Sequence, residues 1–409
     1  MVAALTGALP VRVELWDGSG FGPADGAGTL RVRTADAVRR ILWAPGELGV
    51  ARAFVAGDLD FEGELIALIA ELRPAGRRLP RDARALPAVL RAARELDLVG
   101  RPVPPPAEEA KPRLWRHTKR RDAAAISHHY DVGNDFYKLV LGEAMTYSCA
   151  RFTEPDTTLE EAQSAKHELI CRKLGLHQRP GMRLLDVGCG WGSMAMHAAA
   201  NHDARVVGIT ISREQAGYAR ERVKAAGLGD AVEIRLQDYR DLRREQFDAI
   251  SSIGMFEHVG KRRMSDYFSN LHGLLRPGGR LLNHAISSVS GSKLSARSFT
   301  YRYVFPDAEL IDVGDVALAM EHAGFEVRDV ESLREHYAQT LRHWVANLQD
   351  HWARAVELVG EGRARVWLLY MAASAIGFED GGLSVHQALG VVPDSDGMSG
   401  MPLTRRAWN

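Results

Sequence analysis

The sequence predicts an α/β fold in which a doubly wound, Rossmann-like parallel sheet carries helical lid insertions and follows a small amino-terminal α+β domain. Three observations lead to this prediction. A glycine-rich turn joins an apolar strand to a helix within residues 184–200, strand-like and helix-like segments then alternate regularly, and prolines interrupt the chain at residues 101–106. At 409 residues and 46% hydrophobic content, the chain is long enough for two domains with full cores.

Composition argues against several classes of protein. The formal net charge of zero argues against general nucleic-acid binding. The three cysteines, Cys149, Cys171 and Cys189, have no paired metal-ligand spacing and suit free thiols in a reducing cytoplasm, so we expect no metal ion. No signal peptide is visible at Met1, and no apolar run approaches the ~20 residues that cross a bilayer. We therefore expect a cytoplasmic protein, at most peripheral at the inner face of the membrane.

The first hundred residues mix short strands with helices and contain nothing with catalytic spacing. Their patterns predict strands at 11–15 and 28–33 and helices at 35–42, 48–55 and 86–98. We interpret residues 1–100 as an accessory domain for lipid binding or dimerisation. Residues 101–125 are then a proline-rich linker with a basic helix, and residues 126–409 form the catalytic domain.

The basic helix has two interpretations. The segment from Lys111 to Arg121 carries six basic residues with Trp115 among them. It is either a solvated helix face or a contact with anionic lipid headgroups, where each basic residue contributes on the order of 1 kcal/mol near the surface.

After the glycine-rich turn, the chain alternates between strand and helix. The pattern predicts strands at 205–209, 231–236, 247–253, 280–286, 326–330 and 383–391, helices at 193–200, 214–226, 264–275, 310–323, 334–359 and 363–378, and a turn at 277–279. Ligands of such sheets bind beyond the carboxyl ends of the strands. One long helix has an apolar stripe that is either core or the wall of an apolar tunnel; it consists of Leu341, Trp344, Val345, Leu348, Trp352 and Val356.

Glycines occupy alternate positions directly after the first strand of the sheet. Asp186 precedes Gly188, Gly190 and Gly192, and residues without a Cβ let a ligand approach the backbone of such a turn. The arrangement resembles motif I of S-adenosylmethionine-dependent methyltransferases, which implies that cofactor. Residues after the next two strands complete the predicted cofactor site: Thr210 and Gln215 toward the ribose, Gln237 and Asp238 toward the adenine.

Further motifs follow one another within residues 126–391. They read His-His-Tyr-Asp-Val-Gly-Asn-Asp-Phe-Tyr from residue 128, Met-Thr-Tyr-Ser-Cys-Ala from 145, Met-Phe-Glu-His-Val-Gly from 255, His-Ala-Ile from 284 and His-Tyr-Ala-Gln-Thr-Leu from 336. Together they resemble the cyclopropane-fatty-acid synthase family. That family includes mycolic acid cyclopropane synthases and actinobacterial enzymes that install a methylene branch on oleoyl chains.

The resemblance implies transfer of a methyl group to the cis double bond of an oleoyl-type acyl chain in a phospholipid. The resulting carbocation loses a proton to bound bicarbonate, so the pocket must exclude water. The resemblance assigns the bicarbonate site and catalysis to Cys149, Glu257, His284, Tyr337 and the backbone of Ile286, and it assigns cofactor contacts to Tyr147 and Ser148. On the residues alone, Glu257 also fits a helix-cap acid and His284 a core histidine.

Two departures from the family pattern concern activity and product. Ser374 stands where many relatives have a cysteine; either that thiol is dispensable, which we favour, or the activity is altered. Glu143 lies in a stretch where relatives often have Asp-Pro. It is either a surface acid or a catalytic residue that, with the segment 299–305, directs proton loss. The second interpretation favours a 10-methylene product over a cyclopropane.

Other functions stay open at this point. The fold also suits a methyltransferase of small polar molecules or nucleic acid, although no basic groove runs through the catalytic domain. A non-catalytic acyl-chain binder is a further alternative. The expected partner is an unsaturated phospholipid at a membrane surface, and we expect no nucleic acid. The sequence does not decide whether the protein forms a homo-oligomer or has a reductase partner.

Overall fold

The protein is described by a computed structural model that covers residues 10–23, 26–77, 101–110, 132–243, 245–292, 295–306 and 308–408. Three predicted features lie outside these described residues: the helix at 86–98, the basic segment from Lys111 to Arg121 with Trp115, and residues 128–131 of the first family motif. Within the described ranges, no helix is long and apolar enough to cross a membrane.

The described part of the chain contains the following strands and helices. The strands are β1 (Arg12–Glu14), β2 (Gly20–Phe21), β3 (Gly28–Val32), β4 (Leu59–Gly63), β5 (Arg183–Val187), β6 (Arg205–Thr210), β7 (Val232–Leu236), β8 (Phe247–Ile253), β9 (Leu275–Ser287), β10 (Glu326–Ser332) and β11 (Ser384–Val391). The helices are α1 (Ala35–Trp43), α2 (Glu47–Val55), α3 (Leu65–Arg77), α4 (Asn134–Leu141), α5 (Leu159–Leu174), α6 (Ser193–His202), α7 (Arg213–Ala225), α8 (Met264–Gly273), α9 (Phe299–Tyr303), α10 (Val313–His322), α11 (Arg334–Asp350), α12 (Trp352–Val359) and α13 (Glu361–Glu379).

Two compact units divide the chain. The first comprises Met1–Pro112 with Ser295–Pro306 and Trp352–Ile376, and the second comprises Arg113–Leu294, Asp307–His351 and Gly377–Asn409. Two segments from the predicted catalytic domain therefore belong to the first unit. The predicted domains 1–100, 101–125 and 126–409 stay a prediction, since spatial compactness does not test which parts act or fold alone.

The first unit holds a four-stranded sheet in the order β2-β1-β3-β4. Alternating side chains of β1 and β3 place Val13 and Val32 in a small core with Ala37, Ala53 and Leu59. The predicted strands at 11–15 and 28–33 and the helices at 35–42 and 48–55 are confirmed to within one residue at each end.

Glu109 organises polar contacts within this first unit. Its buried carboxylate accepts hydrogen bonds from Arg52 Nε at 2.7 Å, Arg302 Nε at 2.9 Å and the Tyr303 hydroxyl at 3.1 Å. A buried charge needs such partners because water no longer solvates it. Glu109 lies in the segment predicted to be a linker, so residues around it are held in place by the unit.

The second unit is built on a seven-stranded sheet in the order β10-β11-β9-β8-β5-β6-β7. The five strands from β5 to β9 run parallel, which confirms the predicted doubly wound, Rossmann-like core. From β5 the chain adds β6 and β7 on one side and then β8 and β9 on the other. This reversal between β5 and β8 opens a crevice beyond their carboxyl ends, where such folds bind ligands.

Three details of the sequence prediction are corrected. Strand β11 is antiparallel to both β9 and β10. The residue pattern predicted this strand but could not give its direction. The predicted helix at 334–359 is interrupted at His351, so Trp352 and Val356 do not share a continuous helix face with the rest of the apolar stripe. These two residues are half-buried, whereas the other four residues of the stripe are buried. The predicted turn at 277–279 lies inside the longer β9, at an irregularity in the ladder with β8.

Helix α5 packs its polar residues as well as its apolar ones into the second unit. It begins at a capping box between Thr158 and Glu161 and ends at Gly175 in the left-handed conformation. Near that end, the Lys173 ammonium is buried and lies 3.0 Å from both Asp329 Oδ2 and Gln387 Oε1. These contacts join the helix to the two antiparallel strands β10 and β11.

We predict that Lys173→Met lowers the free energy of unfolding by about 3 kcal/mol, because the buried Asp329 carboxylate loses a cationic partner. Methionine keeps most of the side-chain volume, so the loss reports charge and not a cavity. Urea unfolding followed by circular dichroism measures the change. Lys261→Met, which removes an exposed pair with Asp315, is the control and should alter the midpoint far less. Equal effects of the two substitutions would contradict the prediction.

Candidate active site

A cavity lies at the carboxyl ends of β5, β6, β7 and β8, where the strand order reverses. All but one of the predicted cofactor residues line it: Tyr147, Ser148, Asp186, Gly188, Gly190, Thr210, Gln215, Gln237 and Asp238. Gly192 instead precedes α6 with a φ of 82°, and a Cβ there would lie 3.4 Å from that of Ala219. The predicted cofactor residues are thus brought together around one cavity.

The turn after β5 requires glycine for a conformational and a steric reason. Gly188 and Gly190 have φ values of 75° and 54°, in the left-handed region that a Cβ disfavours. A Cβ on Gly188 would also lie 3.0 Å from Cβ and Cγ of Met255. The backbone N–H groups of Gly188 and Cys189 both donate to the Ile209 carbonyl at 2.9 Å, which holds the turn against β6.

Asp186 offers an acceptor to a ligand in this cavity. Its Oδ1 accepts from the Ser251 hydroxyl at 2.8 Å, whereas its Oδ2 is buried with no hydrogen-bond partner among the described residues. Burial raises the pKa of this carboxyl to about 6. A buried acceptor of this kind needs a donor, and the amino group of an amino-acid ligand is one that fits.

The residues predicted to hold the nucleoside make contacts with each other or with their neighbours. Thr210 donates from its hydroxyl to Gln215 Oε1 at 2.9 Å. Asp238 accepts from the backbone N–H and the Nε of Arg240, both at 2.9 Å. These bonds fix the side chains at the ends of β6 and β7, and Arg240 also lines the cavity.

Lys166 is a cavity residue that sequence reasoning missed. It lies on α5 with 0% of its surface exposed, and its Nζ donates to the Ser148 hydroxyl at 2.9 Å. Burial lowers the pKa of this ammonium to about 7, although the nearby Cys149 and Asp186 act in the opposite direction. A lysine between alanine and histidine looks like part of a solvated helix face, so no sequence signal indicated its burial.

The loop before Ser148 is held in a strained conformation beside the cavity. Met145 is buried and has a φ of 46°, which is unusual for a residue with a Cβ. Its position is fixed because the Ser193 hydroxyl donates to the Ala144 carbonyl at 2.6 Å, and Gln163 Nε2 donates to the Ser148 carbonyl at 2.9 Å. Local strain that the surroundings enforce is typical of ligand-binding positions.

A second group of predicted residues surrounds Glu257. Its Oε1 accepts from the Ile286 backbone N–H at 2.7 Å, while its Oε2 is buried with no partner among the described residues. Burial raises the pKa of the carboxyl to about 7, although the Ile286 N–H lowers it. The neutral carboxyl, which can donate a hydrogen bond, and the carboxylate are therefore comparably populated near pH 7.

His284 lies two residues before Ile286 on β9, and its side chain is buried. The Gln387 amide, 3.3 Å from Nδ1, assigns the imidazole proton to Nε2. Nε2 is buried with no partner among the residues that the structure describes. Burial, and to a lesser extent Lys166, lowers the pKa of His284, so the ring is a neutral donor.

Backbone contacts link Cys149 and Tyr337 to this group. The Cys149 thiol, whose pKa burial raises, lies 3.5 Å from the Leu333 carbonyl, and Tyr337 N–H donates to that carbonyl at 3.0 Å. Leu333 N–H in turn donates to Val385, the partner of Ile286 across β11 and β9. The predicted bicarbonate residues thus come from the 145–150 loop, the turn after β8, β9 and α11, and none of them is among the residues that line the cofactor cavity. That they hold one anion together stays a prediction.

Aromatic rings connect the two groups. The rings of Tyr147 and Trp344 stack at 5.3 Å between centroids, and Trp344 meets the Tyr337 ring edge-on at 6.1 Å. Tyr337 also packs on Phe378 at 4.6 Å. The predicted cofactor contact Tyr147 is therefore separated from Tyr337 by one buried tryptophan.

The structure does not bring Glu143 into either group. Its side chain is 80% exposed and pairs with Lys138 at 3.2 Å, since Gly142 ends α4 and turns the chain outward there. The described segment around Phe299 lies in the first unit, as does Ser374, which is half-buried on α13. Geometry therefore supports the interpretation of Glu143 as a surface acid.

Comparisons with known proteins identify the family. The family model described as mycolic acid cyclopropane synthetase matches residues 117–388. The chain belongs to this family. It is thereby an S-adenosylmethionine-dependent methyltransferase, as the glycine-rich turn predicted, and its family acts by methylation or cyclopropanation of unsaturated fatty acyl chains.

Members of the family resemble this chain over most of its length. A protein of Mycobacterium tuberculosis named "Probable fatty acid methyltransferase" is 44% identical, over 98% of this chain and 95% of that protein. The cyclopropane-fatty-acyl-phospholipid synthase of Escherichia coli is 34% identical, over 91% of this chain and 88% of that protein. A crystal structure of a mycolic acid cyclopropane synthase complexed with SAH and CTAB is 36% identical with a TM-score of 0.62, over 66% of this chain and 97% of that one.

We predict that Gly188→Ala weakens binding of S-adenosylhomocysteine by about tenfold or more, because the new Cβ strains the turn and meets Met255. Titration calorimetry measures the dissociation constant. Gly217→Ala is the matched control, since that glycine lies in α7 with open space around it. Unchanged binding by Gly188→Ala would show that the ligand does not use this turn.

We also predict a pH-dependent difference in stability between the unaltered protein and Glu257→Gln. The folded state holds the Glu257 proton more tightly than the unfolded chain does, so the associated stability is present below pH 4.5 and is lost as the pH rises to about 7. Over this window, the free energy of unfolding should fall relative to Glu257→Gln by on the order of 3 kcal/mol. Urea unfolding at a series of pH values measures the difference, and parallel profiles would contradict the prediction.

Proposed function

We propose that this protein transfers a methyl group from S-adenosylmethionine to the cis double bond of an oleoyl-type acyl chain in a phospholipid. The resulting carbocation would lose a proton to a bicarbonate held by Glu257, His284 and their neighbours, and the product is a 10-methylene or a cyclopropane fatty acid. The observation that carries the proposal is the pair of buried, unpartnered polar atoms, Glu257 Oε2 and His284 Nε2, in the same unit as the cofactor cavity. Among the described residues, neither atom has a structural partner that would explain it.

The proposed cofactor fits the residues of the cavity. Asp186 Oδ2 is a buried acceptor without a hydrogen-bond donor among the described residues. At Gly188, the absence of a side chain leaves the backbone of the turn accessible, where a Cβ would crowd Met255. Gln237 and Asp238 follow β7 at the end of the cavity where an adenine amine would be held. When bound, S-adenosylmethionine supplies the methyl group and bicarbonate supplies the base.

The proposed anion fits the protonation states of its site. Glu257 with a pKa raised to about 7, neutral His284 protonated on Nε2, and the un-ionised thiol of Cys149 can each donate a hydrogen bond. The Ile286 N–H holds Glu257 in place, and Gln387 orients His284. A set of neutral donors binds a small anion without placing a like charge beside it. Because His284 carries its proton on Nε2 and its Nδ1 faces the Gln387 amide, the ring would hold the anion as a hydrogen-bond donor.

Apolar and aromatic surroundings suit a cationic intermediate. Tyr147, Trp344, Tyr337 and Phe378 pack ring against ring, and aromatic faces attract positive charge through their quadrupoles. The same packing excludes water, which would otherwise capture the cation. This aromatic arrangement favours an apolar substrate over the small polar molecules of the alternative methyltransferase. Buried donors such as His284 favour a catalytic role over that of a non-catalytic acyl-chain binder.

Product, substrate form and location complete the proposal. The 10-methylene product remains our preference from the sequence departures, although the exposed position of Glu143 gives it no geometric support. The acyl chain is modified while it is part of a phospholipid at the inner face of the membrane, to which the protein binds peripherally. A homo-oligomer and a reductase that saturates a methylene branch are proposed partners; nucleic acid is not.

The deciding experiment combines the protein with methyl-labelled S-adenosylmethionine and vesicles of dioleoyl phospholipid. We expect label in the acyl chain, a rate that falls when bicarbonate is removed, and a loss of about a hundredfold in kcat for Glu257→Gln. Glu321→Gln, an exposed carboxylate on α10, is the control and should retain activity. NMR of the released fatty acid distinguishes the isomeric methylene and cyclopropane products.

Two results would overturn the proposal. Label that enters only small polar acceptors would assign a different substrate class. Full activity of Glu257→Gln at depleted bicarbonate would remove the buried donors from the reaction, even where the acyl chain is modified.

A further inference from the structure

We propose that Glu168, Cys171, His197 and His202 form a zinc site between α5 and α6. The four residues come from two neighbouring helices of the second unit: Glu168 and Cys171 are one turn apart on α5, and the two histidines lie on α6. This cluster is separate from the residues that line the cofactor cavity and from the group around Glu257. The absence of paired cysteine spacing in the sequence, from which no metal was expected, does not exclude ligands that only the fold brings together.

Three of the donor atoms lie close together. One ligand atom each from Cys171, His197 and His202 all lie within 4.8 Å of one another. That group of three does not include Glu168, whose Oε2 lies 2.9 Å from His202 Nε2 and 3.4 Å from His197 Nε2 and would move toward Cys171 to become the fourth ligand. Tetrahedral zinc bonds of about 2.0–2.3 Å place the donor atoms roughly 3.3–3.8 Å apart. The widest of the separations would therefore shorten by about an ångström and the 2.9 Å contact between Glu168 and His202 would lengthen slightly, which small side-chain rotations supply.

The chemistry of the donors selects zinc among common divalent ions. A thiolate, two imidazoles and a carboxylate make a tetrahedral set of the kind that zinc prefers, whereas calcium and magnesium take oxygen ligands almost exclusively. The site is also sheltered: Cys171 is buried, and the exposed fractions of the His197 and His202 side chains are 13% and 7%. Shelter from water favours a structural ion over a transient surface contact.

Binding exchanges protons and hydrogen bonds for metal bonds. The Cys171 thiol releases its proton to solvent, and each imidazole binds as the neutral base through the nitrogen that now faces Glu168. One thiolate and one carboxylate then balance the double charge of the ion. Arg172, which pairs with Glu168 Oε1 at 2.7 Å, stays in position to hold the carboxylate through its other oxygen.

A metal ion here would brace the two helices that border the cofactor cavity. Lys166 lies two residues before Glu168 on α5, and α6 begins directly after the glycine-rich turn. The site is therefore structural, and its occupancy should stabilise the second unit independently of catalysis.

The test uses the full chain stripped of metal with a chelator and then titrated with Zn²⁺ against a competing chromophoric chelator. We expect one tightly bound equivalent and a rise in the thermal midpoint on binding. Co²⁺ in place of Zn²⁺ should give a tetrahedral d–d spectrum with a sulfur-to-metal charge-transfer band. This spectrum tests the ligand set in the unaltered protein, so it does not depend on whether a variant folds.

Variants assign the ligands. Cys171→Ser should abolish the charge-transfer band, and His202→Asn should weaken Zn²⁺ binding by at least about tenfold. His322→Asn, an exposed histidine on α10, is the matched control and should bind like the unaltered protein. Less than one equivalent of Zn²⁺, or a Co²⁺ complex without the sulfur band, would overturn the proposal whatever the enzymatic activity proves to be.

Discussion

Burial of ionisable side chains at the carboxyl edge of the seven-stranded sheet is the constraint on which the rest of the site depends. Asp186, Lys166, Glu257 and His284 are all withdrawn from water, so each must be neutral, paired or supplied with a partner from outside the protein. Ser251 donates one hydrogen bond to Asp186 and Lys166 donates one to Ser148. The Ile286 N–H donates one to Glu257. The unsatisfied atoms that remain define what a ligand has to offer, and an amino group and a small oxyanion meet those requirements.

The sequence was most informative at positions where the backbone conformation favours glycine over all other residue types. The glycines at 188 and 190 adopt left-handed conformations that a Cβ disfavours, and a Cβ on Gly188 would also crowd Met255. The cofactor turn could therefore be predicted directly from their spacing. The regular succession of apolar strand-like runs and helical segments likewise predicted β6, β7 and β8 to within one residue, whereas β9 begins five residues before its predicted start. The bicarbonate residues were a different case, because they came only through the family resemblance and no spacing links positions 149, 257, 284 and 337.

The features that could not be predicted from the sequence are those that depend on contacts between residues far apart in the chain. Lys166 looks like a solvated residue until Ser148, eighteen positions earlier, supplies its partner. The break at His351 lies in a helical pattern with no proline or glycine to mark it. Likewise, Glu143 was placed at the site by its nearness in sequence to Ser148, whereas Gly142 directs it to the surface. In each case the deciding interaction joins residues that local patterns treat separately.

The position of β11 within the sheet has a consequence for how the enzyme is made. This strand, the last in the chain, inserts between β9 and β10 and carries Gln387, which orients His284. During synthesis the five parallel strands emerge first, but β9 keeps an open edge until about a hundred further residues have left the ribosome. Until β11 has been synthesised, β9 therefore presents an unpaired edge that can mispair, and His284 lacks the Gln387 amide that orients it.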